Sequence, residues 1–145
     1  MGVLMAYSAQ TQRLIARLAA LPEAIKTDLR KAVVKSADEV ADLQRDLAVN
    51  SRDTGALIDS ITVTEPGHAT PAYSQPGGSM TAHELQAIVT VGNSDVRYPH
   101  LVEYGTAHTP AQPYFWPAVR SLQKRINNRL NRQARKAIRM YWTNQ

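Results

Sequence analysis

The chain has 145 residues, 43% apolar and 20% charged, so it can build one domain with its own core and is too apolar for a disordered tail. It has no cysteine, which excludes disulfides, thiolate nucleophiles and cysteine metal sites. The net charge of +5 is unevenly spread: residues 1–103 carry nine Lys/Arg against twelve Asp/Glu, whereas 104–145 carry eight Lys/Arg and no acid, which points to a polyanionic or acidic partner.

The opening Met-Gly-Val-Leu-Met-Ala-Tyr-Ser lacks a basic start and an apolar core, so no secretory leader is expected. Ala6 stands where a myristoylation motif needs Ser or Thr. No apolar run approaches the length that spans a bilayer, and no membrane partner is expected. Residues 9–48 read as helix, because Leu14, Leu18, Leu21, Ile25, Leu29, Val33, Ala37, Val40, Leu43 and Leu47 recur at three- or four-residue steps. Pro22 divides this stretch. It fits the first turn of a second helix, where its missing amide costs nothing, and Glu23 suits the helix dipole. The spacing predicts a short helix to about Leu21 and a long one from about Pro22 to Ala48.

The run Asn50-Ser51-Arg52-Asp53-Thr54-Gly55 ends that helix, and Asp53 or Thr54 can cap a short turn through Asp59. Ile61-Thr62-Val63-Thr64 is β-branched and predicts a strand. Residues 65–83, rich in Pro, Gly and Ser/Thr, read as a flexible arm or loop. Residues 85–92 form the second predicted strand, antiparallel to 60–65. Pro99 to Tyr104 predict a short helix closed by Gly105 in a left-handed conformation. From about Pro117 the helical period returns through Val119, Leu122, Ile126, Leu130, Ala134, Ile138 and Tyr141. The order predicts a single α+β domain: a long N-terminal helix and a basic C-terminal helix (120–145) on a small antiparallel sheet. Two strands seldom make a stable sheet, so part of 106–114 could supply a third, or neighbouring subunits could complete the edges.

The most constrained stretch is 98–117, with four prolines, one glycine and five of the nine aromatics in twenty residues. Each proline fixes a backbone angle and removes a donor, and each aromatic adds large apolar area at a set point. This reads as a shaped platform, with Tyr98, Glu103, Tyr104, Tyr114, Phe115 and Trp116 as the candidate interface residues. Glu103 sits between Val102 and Tyr104 and is either a buried partner of an arginine, such as Arg97 or Arg120, or an ordinary exposed acid.

Other chemistry is thinly marked. Asp53-Thr54-Gly55 is the aspartic-protease triplet, in which two aspartates share a proton. Here it follows a helix end rather than an apolar strand, and a turn cap explains it better. His68, His83, His100 and His108 form no helical metal-binding pair. There is no nucleophile elbow and no phosphate-binding glycine loop, so neither catalysis nor a cofactor is expected. Arg120, Lys124, Arg125, Arg129, Arg132, Arg135, Lys136 and Arg139 are candidate contacts to DNA or an acidic partner, since cations attract phosphate without reading sequence.

Three segments carry a resemblance. Asp53-Thr54-Gly55-Ala56-Leu57-Ile58-Asp59-Ser60-Ile61 resembles the D-T-G-x-L-x-x-S-I segment of tailed-bacteriophage neck proteins. Tyr98-Pro99-His100-Leu101-Val102-Glu103-Tyr104-Gly105-Thr106 resembles their Y-A-x-x-V-E-[FY]-G-T segment, with Pro99 in place of a small residue. Pro110-Ala111-Gln112-Pro113-Tyr114-Phe115-Trp116-Pro117-Ala118 resembles their P-A-x-P-F-L-x-P-A segment. The family is the head–tail joining or tail-completion group, which is similar to the minor tail protein Z of phage lambda. The resemblance implies a non-enzymatic virion protein of the neck, assembled in the host cytoplasm. It implies a homo-oligomeric ring, hexameric or dodecameric, between the head connector or head-closure protein and the tail tube or terminator. Packaged DNA would lie close by, and a tail terminator is the nearest alternative role.

Overall fold

The computed structural model describes residues 8–49 and 54–143. Ser8 starts the first helix, α1 (Ala9–Ala19), by accepting the Thr11 amide on its hydroxyl at 3.2 Å. Leu14 and Leu18 of the predicted stripe have side chains outside the described residues. The next helix, α2 (Glu23–Ala48), is preceded by Pro22 at its N-cap, one position earlier than the first turn expected. The Pro22 ring holds φ at −57° while ψ stays extended at 148°, and its carbonyl accepts the amides of Ile25 and Lys26 at 3.1 Å.

A short helix, α3 (Thr54–Asp59), leads into strand β1 (Thr62–Thr64), which pairs antiparallel with β2 (Ile88–Thr90) in the register Thr62↔Thr90, Val63↔Val89, Thr64↔Ile88. Both strands are shorter than predicted. Asp53 and the capping role read for it lie outside the described residues, as does the Thr54 side chain.

Residues 65–83 form a loop that folds back on itself and on the sheet. Thr70 and Met80 join through the Thr70 amide at 2.8 Å and through the Thr70 hydroxyl, which also accepts the Met80 amide at 2.8 Å. Gln75 and Val91 exchange both backbone bonds, at 2.8 and 3.0 Å, and so extend the sheet by one bridge beyond β2. The third strand considered for 106–114 does not form. Thr106 and Thr109 bond each other in a turn, and Pro110 and Pro113 have no amide to offer a ladder.

Helix α4 (Pro99–Tyr104) and the C-terminal helix α5 (Phe115–Thr143) complete the described chain. Packing between α2 and α5 dominates the fold. They run antiparallel: Ser36 meets Arg129, whereas Gln44, eight residues on, meets Phe115. The residues α2 buries are Ile25, Lys26, Ala32, Ser36, Ala37, Val40, Ala41, Gln44 and Ala48. Most of them are small, which lets two helices approach closely. Leu47, from the predicted stripe, is exposed, and on α5 Ala137 is buried where Ile138 was expected. Tyr141 of that stripe has its side chain outside the described residues. The core joins Ala41 and Ala48 of α2 to Leu57, Ile61, Val91, Val96, Tyr114 and Phe115. The architecture is therefore α+β, with two long helices on a two-stranded antiparallel sheet.

Candidate functional site

The platform is built by α4, the loop after it and the first turn of α5. Tyr98 precedes α4 with φ −111°, and Pro99 occupies the first turn, where its ring suits helical φ. The helix ends at Gly105, whose amide bonds the Leu101 carbonyl at 2.9 Å. Its φ is positive, as the sequence led us to expect, but its ψ of 177° is extended rather than left-handed. That backbone geometry is open to glycine almost alone. A Cβ there would also meet the Ala111 amide nitrogen at 2.7 Å and the Thr109 carbonyl at 2.9 Å. The loop is shaped further by the Thr106 hydroxyl, which accepts the Thr109 amide at 3.0 Å, and by the Gln112 amide, which bonds the Val102 carbonyl at 2.8 Å.

Glu103 is the centre of this region. It is buried, at 6% exposure, and it pairs with neither Arg97 nor Arg120. Arg97 instead stacks over the Tyr73 ring at 3.9 Å, and Arg120 is exposed. One oxygen of Glu103 accepts the amides of Tyr114 and Phe115 at 2.8 and 2.9 Å, and the other accepts the Trp116 amide at 3.1 Å. These are the donors at the N-terminus of α5, so the carboxylate caps that helix from another element and satisfies its dipole. This sets the first residue of α5 at Phe115, two residues before Pro117.

Tyr114 and Phe115, read from the sequence as interface aromatics, are buried in the core at 1% and 6% exposure. Their backbone amides are held by Glu103 on the same buried side. Burial, the nearby Glu103 charge and Tyr98 together push the Tyr114 phenol well above its ordinary pKa. Its hydroxyl makes a long 3.5 Å bond to the Pro99 carbonyl. Tyr98 is half-buried against the core. Trp116 is half-buried, meets Phe115 edge-on at 4.9 Å and donates its indole N–H to the Tyr104 hydroxyl at 2.8 Å. Tyr104 is the platform aromatic most open to solvent, at 68% exposure, and Leu101 beside it is also exposed. Residues 106–113 are exposed throughout. A shallow cleft of about 160 Å³ lies between Pro76, His100, Tyr104 and Trp116.

The three segments singled out by sequence converge here. Leu57 and Ile61 of the first share the core with Tyr114 and Phe115 of the third. The Ser60 hydroxyl accepts the Gly92 amide at 3.0 Å, and Glu103 ties the second segment to the third. The described histidines have local roles: His83 Nδ1 accepts the Leu85 amide, and His100 Nδ1 lies 3.3 Å from the Gln75 side-chain amide. Among the described residues no cluster of His, Asp or Glu could hold a metal ion.

The basic helix divides in two. Arg129 bonds the Ser36 hydroxyl at 3.2 Å and the Glu39 carboxylate, and Arg125 lies 3.5 Å from the same acid. The hydrogen bond from Arg129 holds the Glu39 carboxyl below its usual range, against a smaller opposing effect of desolvation. Arg120, Lys124, Arg132, Arg135, Lys136 and Arg139 are exposed and have no acidic partner among the described residues. Sequence periodicity had no means of finding Glu39, Ser36 or the fully buried Gln44, whose amide reaches the Phe115 carbonyl at 3.4 Å. Each depends on a partner some 70 to 90 residues away.

A family model described as "Bacteriophage HK97-gp10, putative tail-component" matches residues 12–105. No curated protein and no solved structure matches the chain. The match takes in the first segment and Glu103. It stops before the α5 amides that Glu103 holds.

Proposed function

The chain belongs to the HK97-gp10-like family of bacteriophage tail components, and on that premise we propose that it is a non-catalytic neck subunit that joins head to tail. The family makes it a structural phage protein and the virion its setting. The finer reading is a ring of identical copies between the head connector and the tail tube, with the likeness to the lambda minor tail protein Z as part of that proposal.

One observation carries it. The buried Glu103 carboxylate locks the loop, α4 and α5 into one rigid unit, whose outer edge is Leu101, Tyr104 and the exposed, proline-pinned residues 106–113. A preorganised edge docks without the entropy cost of ordering a loop. An apolar groove of about 460 Å³ between α2, α5 and the β2 approach, walled by Val33, Val40, Leu85, Val119, Ile126 and Leu130, is a second surface that a neighbouring copy could cover. Closed rings bury such faces by symmetry.

The test is particle assembly. Phage particles made without this protein are expected as separate filled heads and finished tails. Abnormally long tails would favour a tail terminator instead, and normal particles would reject both. Supplying Leu101→Asp/Tyr104→Asp protein, folded but with a charged edge, is expected to leave heads and tails unjoined. Asp53→Asn protein is expected to restore joining in full, and loss of joining with that variant would reopen the protease reading.

A further inference from the structure

We propose that one face of α5 is a binding site for the phosphate backbone of duplex DNA, formed by Arg132, Arg135, Lys136 and Arg139 with Asn128 and Asn131. These six line a single polar concavity of about 650 Å³. Their spacing is i, i+3, i+4, i+7, i+8 and i+11, which places all six on one side of a helix. The opposite side carries Ile126, Leu130 and Ala137, the side α5 turns towards α2. The four cations therefore point outwards together, on a helix that α2 and Glu103 hold in place.

Charge and composition select the ligand. Arg125 and Arg129 are paired with Glu39 and do not line this concavity. The four cations that are part of it have no acid within salt-bridge reach among the described residues. A protein-binding surface usually has apolar or aromatic anchors at its centre, whereas a DNA-binding surface is polar and strongly positive. Among the described residues, the concavity is lined by arginine, lysine and asparagine alone. The asparagine amides can donate to phosphate oxygens alongside the cations. From Asn128 to Arg139 the helix rises about 16 Å, a length over which duplex DNA presents roughly ten phosphates. The contact reads no sequence, because point charges on phosphate carry no base information.

This site deepens the neck reading but does not need it, and its test is separate. The full chain is titrated against a fluorescent duplex of random sequence from 50 to 200 mM salt. Four phosphate contacts predict a log–log slope of about −3.6, which is roughly a hundredfold loss of affinity across that range. The variant R132Q/R135Q/K136Q/R139Q is expected to flatten the slope by three to four, at an unchanged thermal midpoint. R132K/R135K/R139K, which keeps the charges, is expected to bind as the parent does, and it also serves if the glutamine variant does not fold. Arg125→Gln is expected to change the slope by less than one. The proposal is overturned if the parent does not bind at 50 mM salt or if the glutamine variant keeps its slope. It is also overturned if polyglutamate of matched charge displaces the duplex and binds more tightly through the same four residues, since the partner would then be an acidic protein. Failure here leaves the particle assay untouched, and unjoined heads and tails would still support the neck role.

Discussion

Glu103 and Trp116 are thirteen residues apart, yet an oxygen of the first accepts the backbone amide of the second at 3.1 Å. This bond completes an account of the start of α5. The first four amides of a helix have no partner within it. Here those of Tyr114, Phe115 and Trp116 all go to Glu103, and the fourth position is Pro117, which has no amide. The three donors are satisfied without water, and two of them are buried.

Removing the carboxylate strands three donors, two of them buried. Each unmet buried amide costs about 1–3 kcal/mol, so Glu103→Ala is expected to lose about 3–5 kcal/mol. Glu103→Gln keeps one acceptor oxygen but sets an NH2 against the remaining amide, and about 1–2 kcal/mol is expected. Urea denaturation measures both. A Glu103→Gln protein as stable as the parent would mean that the side chain acts by filling space and not by capping.

Gly105 is the pivot between α4 and the exposed edge. A methyl group there would overlap the backbone of Ala111 and Thr109, at a positive φ of 77°. Gly105→Ala is expected to cost at least about 2 kcal/mol, from backbone strain and displaced loop atoms. Gly55→Ala is the matched control: nothing lies within 4 Å of its added carbon, and the position is helical. That change is expected to be neutral or to stabilise by up to about 1 kcal/mol. A thermal melt of the two proteins decides this, and equal midpoints would remove the clash.

Tyr114 predicts an alkaline limb. Below about pH 10 its phenol is neutral in both folded and unfolded chains and no stability is lost. Above that pH the unfolded chain releases the proton while the folded one holds it, because burial and Glu103 raise its pKa. Stability therefore falls as pH rises towards the folded-state value. Tyr114→Phe removes this group, and by pH 11 the parent is expected to have lost about 1 kcal/mol more than the variant. At pH 7 the substitution should cost little, since the bond it removes is 3.5 Å long. Parallel alkaline limbs for the two proteins would contradict the burial of that hydroxyl.

What could be read from sequence was whatever repeats locally. Ile25 and Val40 announce α2 by their spacing, and the alternation around Val63 and Val89 announces the strands. The buried face of α2 was read less well. Ala41 and Ala48 reach the core where Leu47 does not, because close packing against α5 rewards small residues and periodicity weights large ones. Polar groups with distant partners were out of reach. Glu103 stood out as an acid in an apolar run, but nothing in the order of residues says that its partners are amides and not Arg97 or Arg120. The helical period shows α5 from about Pro117, but the cap that sets its first residue, Phe115, lies in α4. The basic residues of α5 look alike in sequence, and only the antiparallel packing on Glu39 separates Arg125 and Arg129 from the rest.

That separation gives a further prediction. Arg129 and Glu39 are mostly shielded, at 17% and 25% side-chain exposure, and they join the two long helices. The Arg129 hydrogen bond lowers the Glu39 pKa in the fold, so the stability it contributes is present above the unfolded value of about 4.3 and is lost as pH falls through the folded one. Arg125 remains 3.5 Å from Glu39 when Arg129 is removed, so the acid is not stranded and the coupling should be moderate. A double-mutant cycle of Glu39→Gln and Arg129→Gln is expected to give about 1 kcal/mol of coupling at pH 7 and close to none at pH 3. Arg129→Gln should lower stability yet leave the salt slope for DNA within one unit of the parent, because its guanidinium faces α2 and not the outer stripe. Coupling that persists at pH 3 would deny the ion pair its role. A DNA slope that falls as far for Arg129→Gln as for an outer arginine would mean that the packed and outward faces of α5 are not separate.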